Sequence, residues 1–222
     1  MTKKQKAILL STARHAERVL GREATGHDWL HIVRVLRNAR RIARGTRADL
    51  FVVELAALLH DIADWKFHGG DSEAGPRAAA AWLKKAGVAA ATAAQVTDIV
   101  RHLSFKGAGV KNEISTLEGK IVQDADRLDA LGAIGVARAF AYGGAKGREI
   151  YNPEVRPVRH TSARAYHQSG GPTLNHFHEK LLLLKDRMNT PQGRRLAARR
   201  HRFMLQFLKQ FAEETGGGGK AA

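Results

Sequence analysis

Cysteine is absent from the 222-residue chain, which excludes disulfides and thiolate metal sites and leaves histidine and carboxylate to supply any metal ligation. That donor set favours a hard, oxygen-transferring metal chemistry. Long apolar runs are missing too. No stretch approaches the roughly 20 apolar residues that a bilayer span needs, and the opening Met1-Thr-Lys-Lys-Gln-Lys6 leads into too short an apolar stretch for a signal-peptide core. The expectation is a cytoplasmic protein without a membrane partner. Nor is there an alternating strand pattern, a glycine-rich phosphate loop or an internal repeat. Acidic residues are scarce: 37 Lys and Arg stand against 21 Asp and Glu, a formal charge of +16. Such a charge attracts nucleotides, nucleic acid or anionic surfaces without choosing among them.

What remains is ordinary globular material with a helical period almost throughout. At 44% apolar and 26% charged, a chain of this length can build one substantial core, and a single domain over 1–215 with a disordered tail at 216–222 is expected. The first helix is predicted from Lys3 to Leu20, stopped by Gly21. A second starts at Thr25-x-x-Asp28 and stops at Gly45, with Leu30, Val33, Leu36 and Ala43 near one another on its wheel. A central helix follows over about Ala48 to Ala63, then one to Lys85 stopped by Gly87, and an alanine-rich one from Ala89 to His102. Ser115 to Gln123 leads helically into Asp124-Ala-Asp126, and Asp129 to Tyr142 continues until Gly143-Gly144. Residues 145–172 form a long irregular segment of the kind that often serves as a lid. One helix is then predicted over Thr173 to Met188, and Thr190-Pro191 caps the last. The fold class is all-α, a compact helical bundle. Basic residues are densest at Arg34 to Arg47 and Arg194 to Arg202, where a solvated helix face accounts for most of them.

The chemistry-bearing stretch is Leu55-Ala-Ala-Leu-Leu-His60-Asp61-Ile-Ala-Asp64. An apolar helical run ends in a histidine and two carboxylates that are costly near a core without partners, and a divalent metal would be such a partner. At about 100° per residue, His60, Asp61 and Asp64 can face one small volume. Glu54, seven residues before Asp61, would be a partner for a ligand histidine or half of an ion pair. Two other segments bear on the question, Gly26-His27-Asp28-Trp29-Leu30-His31-Ile-Val-Arg34-Val and Val122-Gln-Asp124-Ala-Asp126-Arg127-Leu128-Asp129. His27 and His31 share a helix face, and Arg34 lies one turn on.

In that order His31, His60-Asp61 and Asp126 resemble the ligand set of the HD-domain metal-dependent phosphohydrolase superfamily. The resemblance rests on His-x-x-Arg-Val, an apolar helix ending Leu-Leu-His-Asp, and Ala-Asp-x-Leu. With His60-Asp-Ile-Ala-Asp-Trp-Lys-Phe-His68 and His176-Phe-His-Glu-Lys180 to Met188-Asn-Thr190 it extends over nearly the whole chain. These longer strings look like the small bacterial HD-domain nucleotide pyrophosphohydrolases.

The resemblance implies metal ligation by His31, His60, Asp61 and Asp126, with Asp124 and Asp129 as supports or a cap. Asp64 would be the general base, by its offset in related HD nucleotidases. One divalent transition metal is implied, manganese first, with iron, cobalt, nickel or magnesium as alternatives. Two-metal members carry further histidines, including a paired His-His, before the last aspartate; here only His68 and His102 intervene, which argues for a single ion. Candidate substrate contacts are Lys66, His27, His102 and Lys185. The expected reaction splits a nucleoside triphosphate into monophosphate and pyrophosphate, with a nucleoside 5'-monophosphatase as runner-up. A basic helical protein that binds nucleic acid without catalysis is the alternative outside enzymes.

Overall fold

Thr2 opens the first helix with a reciprocal cap: its hydroxyl accepts from the Gln5 amide at 3.2 Å while the Gln5 side chain accepts from the Thr2 amide at 2.8 Å, closing two of the free donors of a helix start. The computed structural model describes residues 1–21, 28–63, 71–103, 113–158 and 170–216. Among these residues every regular element is helical: α1 (Lys3–Leu20), α2 (Trp29–Ala43), α3 (Leu50–Leu59), α4 (Ala74–Lys85), α5 (Ala90–His102), α6 (Leu117–Asp129), α7 (Gly132–Ala145), α8 (Asn175–Glu179), a 3₁₀ segment (Leu181–Arg187) and α9 (Pro191–Glu214). No helix of the described residues is long and apolar enough to cross a membrane.

The centre of the molecule is α3, whose residues from Phe51 to Leu59 are all buried. Its apolar composition leaves no wet face, so it must be surrounded, and α1, α2, α5 and α6 pack around it. Full burial of Leu55, Leu58 and Leu59 contributes about 1.5–3 kcal/mol for each side chain. Glu54 in the same helix is also buried, and Arg40 of α2 holds it in a two-pronged pair at 2.8 and 2.7 Å. That pair leaves Glu54 an ion-pair residue rather than a partner of a histidine. The start of α3 is fixed by Asp49, whose carboxylate caps the Phe51 amide and whose own amide donates to Glu118 of α6, both at 2.8 Å.

In α2 the apolar stripe of Leu30 and Val33 faces outward. The buried face carries His31, Ile32, Val35, Asn38, Ala39 and Ile42 instead, because the helix is turned to sink His31 and Asn38 among polar partners on α6. Gly143 and Gly144 do not stop α7, which runs to Ala145. Gly143 marks a close approach, since a Cβ there would overlap the Thr173 side chain. The helix expected over Thr173 to Met188 is broken at Lys180, with φ −140 and ψ −58. Beyond the break the backbone tightens into 3₁₀ turns that bury Leu181 and Leu184, three residues apart and hence on one face of such a helix.

The irregular segment is anchored where it is described. The Asn175 amide donates to the Val155 carbonyl at 2.8 Å and the buried Glu179 accepts from the Val158 amide at 3.1 Å. Asp124 ties α6 to the last helix. Its carboxylate accepts from the Asn189 amide at 2.8 Å and from the amide and hydroxyl of Thr190 at 2.8 and 2.7 Å, while Thr190 caps α9 through the Gly193 amide and Pro191 occupies the first turn.

Candidate metal centre

Three elements meet at the end of the α3 core. Asp28 caps α2 by accepting from the His31 amide at 2.7 Å, which sets the first turn so that the His31 side chain points inward at 0% exposure. His60 is the C-cap of α3 in helical conformation, with Asp61 in the turn that follows. Asp126 comes from the last turn of α6. The His31 Nε2 lies 3.1 Å from the His60 Nε2, 3.4 Å from Asp61 Oδ2 and 3.5 Å from Asp126 Oδ1. The His60 Nε2 is 3.7 Å from the same Asp61 oxygen and 3.8 Å from the same Asp126 oxygen. One atom from each of four side chains thus borders one small volume, and Asp126, with its side chain 32% exposed, forms the open side.

The outer nitrogens of both rings are committed. His31 Nδ1 faces Asp129 Oδ2 at 2.7 Å and His60 Nδ1 faces the Ala57 carbonyl at 3.0 Å. A carboxylate and a carbonyl only accept, so each Nδ1 carries the proton, and in the neutral rings each Nε2 presents a lone pair. Two lone pairs 3.1 Å apart repel unless something positive stands between them. His31, His60 and Asp126 satisfy the distances of a shared cation site, and imidazole with carboxylate suits a divalent transition metal. The residues present therefore fit such an ion.

Asp129 organises the far side of His31. Besides the histidine it accepts from Arg34 Nε and a terminal Arg34 nitrogen at 2.8 and 3.0 Å, and from Arg138 of α7 at 3.1 Å. Burial pushes its carboxyl up, but the hydrogen bonds from His31 and Arg34 and the charges of His31 and Arg138 outweigh that, holding it well below the usual carboxylate range. A histidine ligand oriented by a carboxylate is the usual support of a metal centre. On His31 itself burial, the largest influence, and the Arg138 charge disfavour the cation. Hydrogen bonds to Asp129 and Asp61 prevail, and the pKa is raised. Below that raised pKa the ring must shed a proton to bind a metal, so affinity falls as pH falls. Titration of the metal-free protein with Mn²⁺ at pH 6 and pH 8 is expected to give weaker binding, with more protons released per ion, at pH 6.

Of the residues singled out from the sequence, the fold brings together His31, His60, Asp61 and Asp126. His102 stands at the end of α5 with its Nδ1 3.3 Å from Asp98. Lys185 lies in the 3₁₀ segment 3.2 Å from Asp186. Among the described residues no hydrogen bond or ion pair joins either of them to the cluster. Asp64, Lys66, His27 and His68 lie outside the described residues. Arg138, nine positions beyond Asp129 on the next helix, carries no motif of its own, and only the α6–α7 corner reveals its role.

A family model described as HD domain matches residues 29–131, a span holding all four converging side chains. The chain is 43% identical over 204 residues to YpgQ of Bacillus subtilis, covering 90% of this chain and 89% of that one. It superimposes on a protein from Lactobacillus plantarum with a TM-score of 0.86 at 36% identity, covering 97% and 98% of the two chains. An HD-superfamily hydrolase from Bacillus thuringiensis matches with a TM-score of 0.72 at 42% identity over 96% and 99%. YpgQ solved in complex with ADP matches with a TM-score of 0.70 at 39% identity over 93% and 97%. Motif, donor geometry and relatives agree, and the chain belongs to the HD-domain superfamily of metal-dependent phosphohydrolases.

Proposed function

We propose that the protein hydrolyses a nucleoside triphosphate to the monophosphate and pyrophosphate, using one divalent cation, manganese first, held by His31, His60, Asp61 and Asp126. The observation that carries the reading is the convergence of His31 Nε2, His60 Nε2 and one oxygen each of Asp61 and Asp126 on one small volume. The ADP complex of YpgQ supports a nucleotide as ligand. When bound, the cation would supply charge to a phosphoryl oxygen and acidity to water.

The chain's own residues do the rest. Asp129, through Arg34 and Arg138, keeps the His31 tautomer that offers Nε2. The partial exposure of Asp126 leaves a side from which substrate and water enter. Asp64, three residues after Asp61, is proposed as the base that takes the proton from the attacking water. Lys66 and Lys185 are proposed to hold the phosphates not under attack, and His27 and His102 to line the substrate's approach.

The test is a screen of nucleoside tri- and monophosphates with Mn²⁺, Fe²⁺, Co²⁺, Ni²⁺ and Mg²⁺, with the products identified. Pyrophosphate and a monophosphate are expected from triphosphates. Orthophosphate from monophosphates alone would replace the reading with the monophosphatase, and absence of hydrolysis with every metal would remove hydrolase activity altogether.

A further inference from the structure

Two long spans of the chain carry several cations and no acid. No acidic residue stands between Asp28 and Asp49, a span that contains α2, or between Asp186 and Glu213, a span that contains nearly all of α9. The fold joins these two helices through Arg200, whose guanidinium donates to the Leu128 carbonyl of α6 and, at 3.4 Å, to the Asn38 side chain of α2. Burial is the largest influence holding Arg200 below the usual arginine range. Asp129 opposes it, and the charges of Arg37, Arg41 and Arg34 reinforce it, so the arginines of α2 crowd the α9 residue.

Arg34 is neutralised by Asp129. Arg37, Arg41, Arg199 and Arg202 are exposed, and among the described residues no carboxylate pairs with any of them. Three positions separate Arg34 from Arg37 and four separate Arg37 from Arg41, so the stripe runs from the support of the metal centre out to the surface. On α9, Phe203 lies four residues after Arg199 and three after Arg200, between them on the helix wheel, and it is 44% exposed.

An extended cationic face with an exposed aromatic inside it suits a linear polyanion that also carries flat rings. A compact phosphate would need a pocket instead, and a bare polyphosphate would leave Phe203 unused. We infer that the α2–α9 face binds single-stranded nucleic acid, with phosphodiesters on Arg37, Arg41 and Arg199 and a base stacked on Phe203. This is independent of the hydrolytic reaction and lies on the side of His31 away from its Nε2.

The test uses the full chain and a labelled twelve-nucleotide oligothymidylate, its RNA counterpart and inorganic polyphosphate, followed by anisotropy against salt. The triple variant Arg37→Gln, Arg41→Gln, Arg199→Gln is expected to bind either oligonucleotide about 10-fold or more weakly and to lower the salt slope by about 2, near 0.7 per lost contact. Phe203→Ala should weaken oligonucleotide binding about 10-fold and leave polyphosphate binding unchanged. Unaltered metal content and nucleotide turnover report an intact fold in both. Lys3→Gln, Lys4→Gln, Lys6→Gln on α1 removes the same charge elsewhere. An equal loss in that control, an unaffected Phe203→Ala, or no binding by the parent at low salt would each overturn the inference.

Discussion

His31→Ala is expected to lose both bound metal and turnover, whereas Asp64→Asn keeps the metal and loses about 10²-fold in rate, the usual size of a missing general base. The His31 ring supplies the Nε2 nearest to all three other donors, so its removal takes away the hub of the cluster. Because His31 is buried, the alanine also leaves a hole, and Asp61→Ala serves as the second variant: its side chain is 16% exposed and its loss leaves the core packed. Elemental analysis beside steady-state kinetics separates the two classes. Full metal content in both His31→Ala and Asp61→Ala would show that the ion is held elsewhere. An Asp64→Asn protein as fast as its parent would move the base to another residue.

The helices were legible in the sequence because they rest on short-range spacing, whereas the candidate ligands His31, His60, Asp61 and Asp126 lie in three distant segments and were singled out by motifs that resemble a family. Thr190 and Pro191 open α9 as expected, Asp28 itself caps α2 three residues beyond the expected start at Thr25, and the apolar run of α3 ends at His60 because the core ends there. The break at Lys180 was not legible, since Leu181 to Leu184 satisfy a helical period as well as the tighter one, and burial of two leucines on one face decides between them. The orientation of α2 was hidden for a related reason. Leu30 and Val33 look like a core stripe until His31 is known to require Asp129 and His60, which outweigh the exposure of two aliphatic side chains. The roles of the three aspartates could be narrowed but not assigned. Asp124 and Asp129 sit in one helix five residues apart, and only the folding of α9 and α2 onto that helix makes one the acceptor for the Thr190 amide and hydroxyl and the other the partner of a histidine.

Asp129→Asn carries the largest expected effect on stability, because a single buried carboxylate answers three cationic or protonated groups. Its two oxygens accept from His31, from two nitrogens of Arg34 and from Arg138. The amide removes the charge and turns a donor toward donors. Arg138 is left worst placed: its side chain is 16% exposed and its Nε is already without a partner among the described residues. Breaking a buried pair while leaving the cation in place costs about 3–5 kcal/mol, a large part of the roughly 5–15 kcal/mol that holds a domain together. At about 2–4 °C per kcal/mol for a chain of this size, Tm should fall by roughly 10 °C. Metal affinity should fall about 10–100-fold, as when the group orienting a ligand histidine is removed. The pH dependence follows from the sign of the shift. Asp129 is held below the ordinary carboxylate range, so its contribution is complete above the unfolded value near 4 and is lost as pH falls toward the folded one. Melting curves of parent and variant should therefore be far apart at pH 7 and closer at pH 3. Equal Tm and equal metal affinity at pH 7 would show that Asp129 supports neither the fold nor His31.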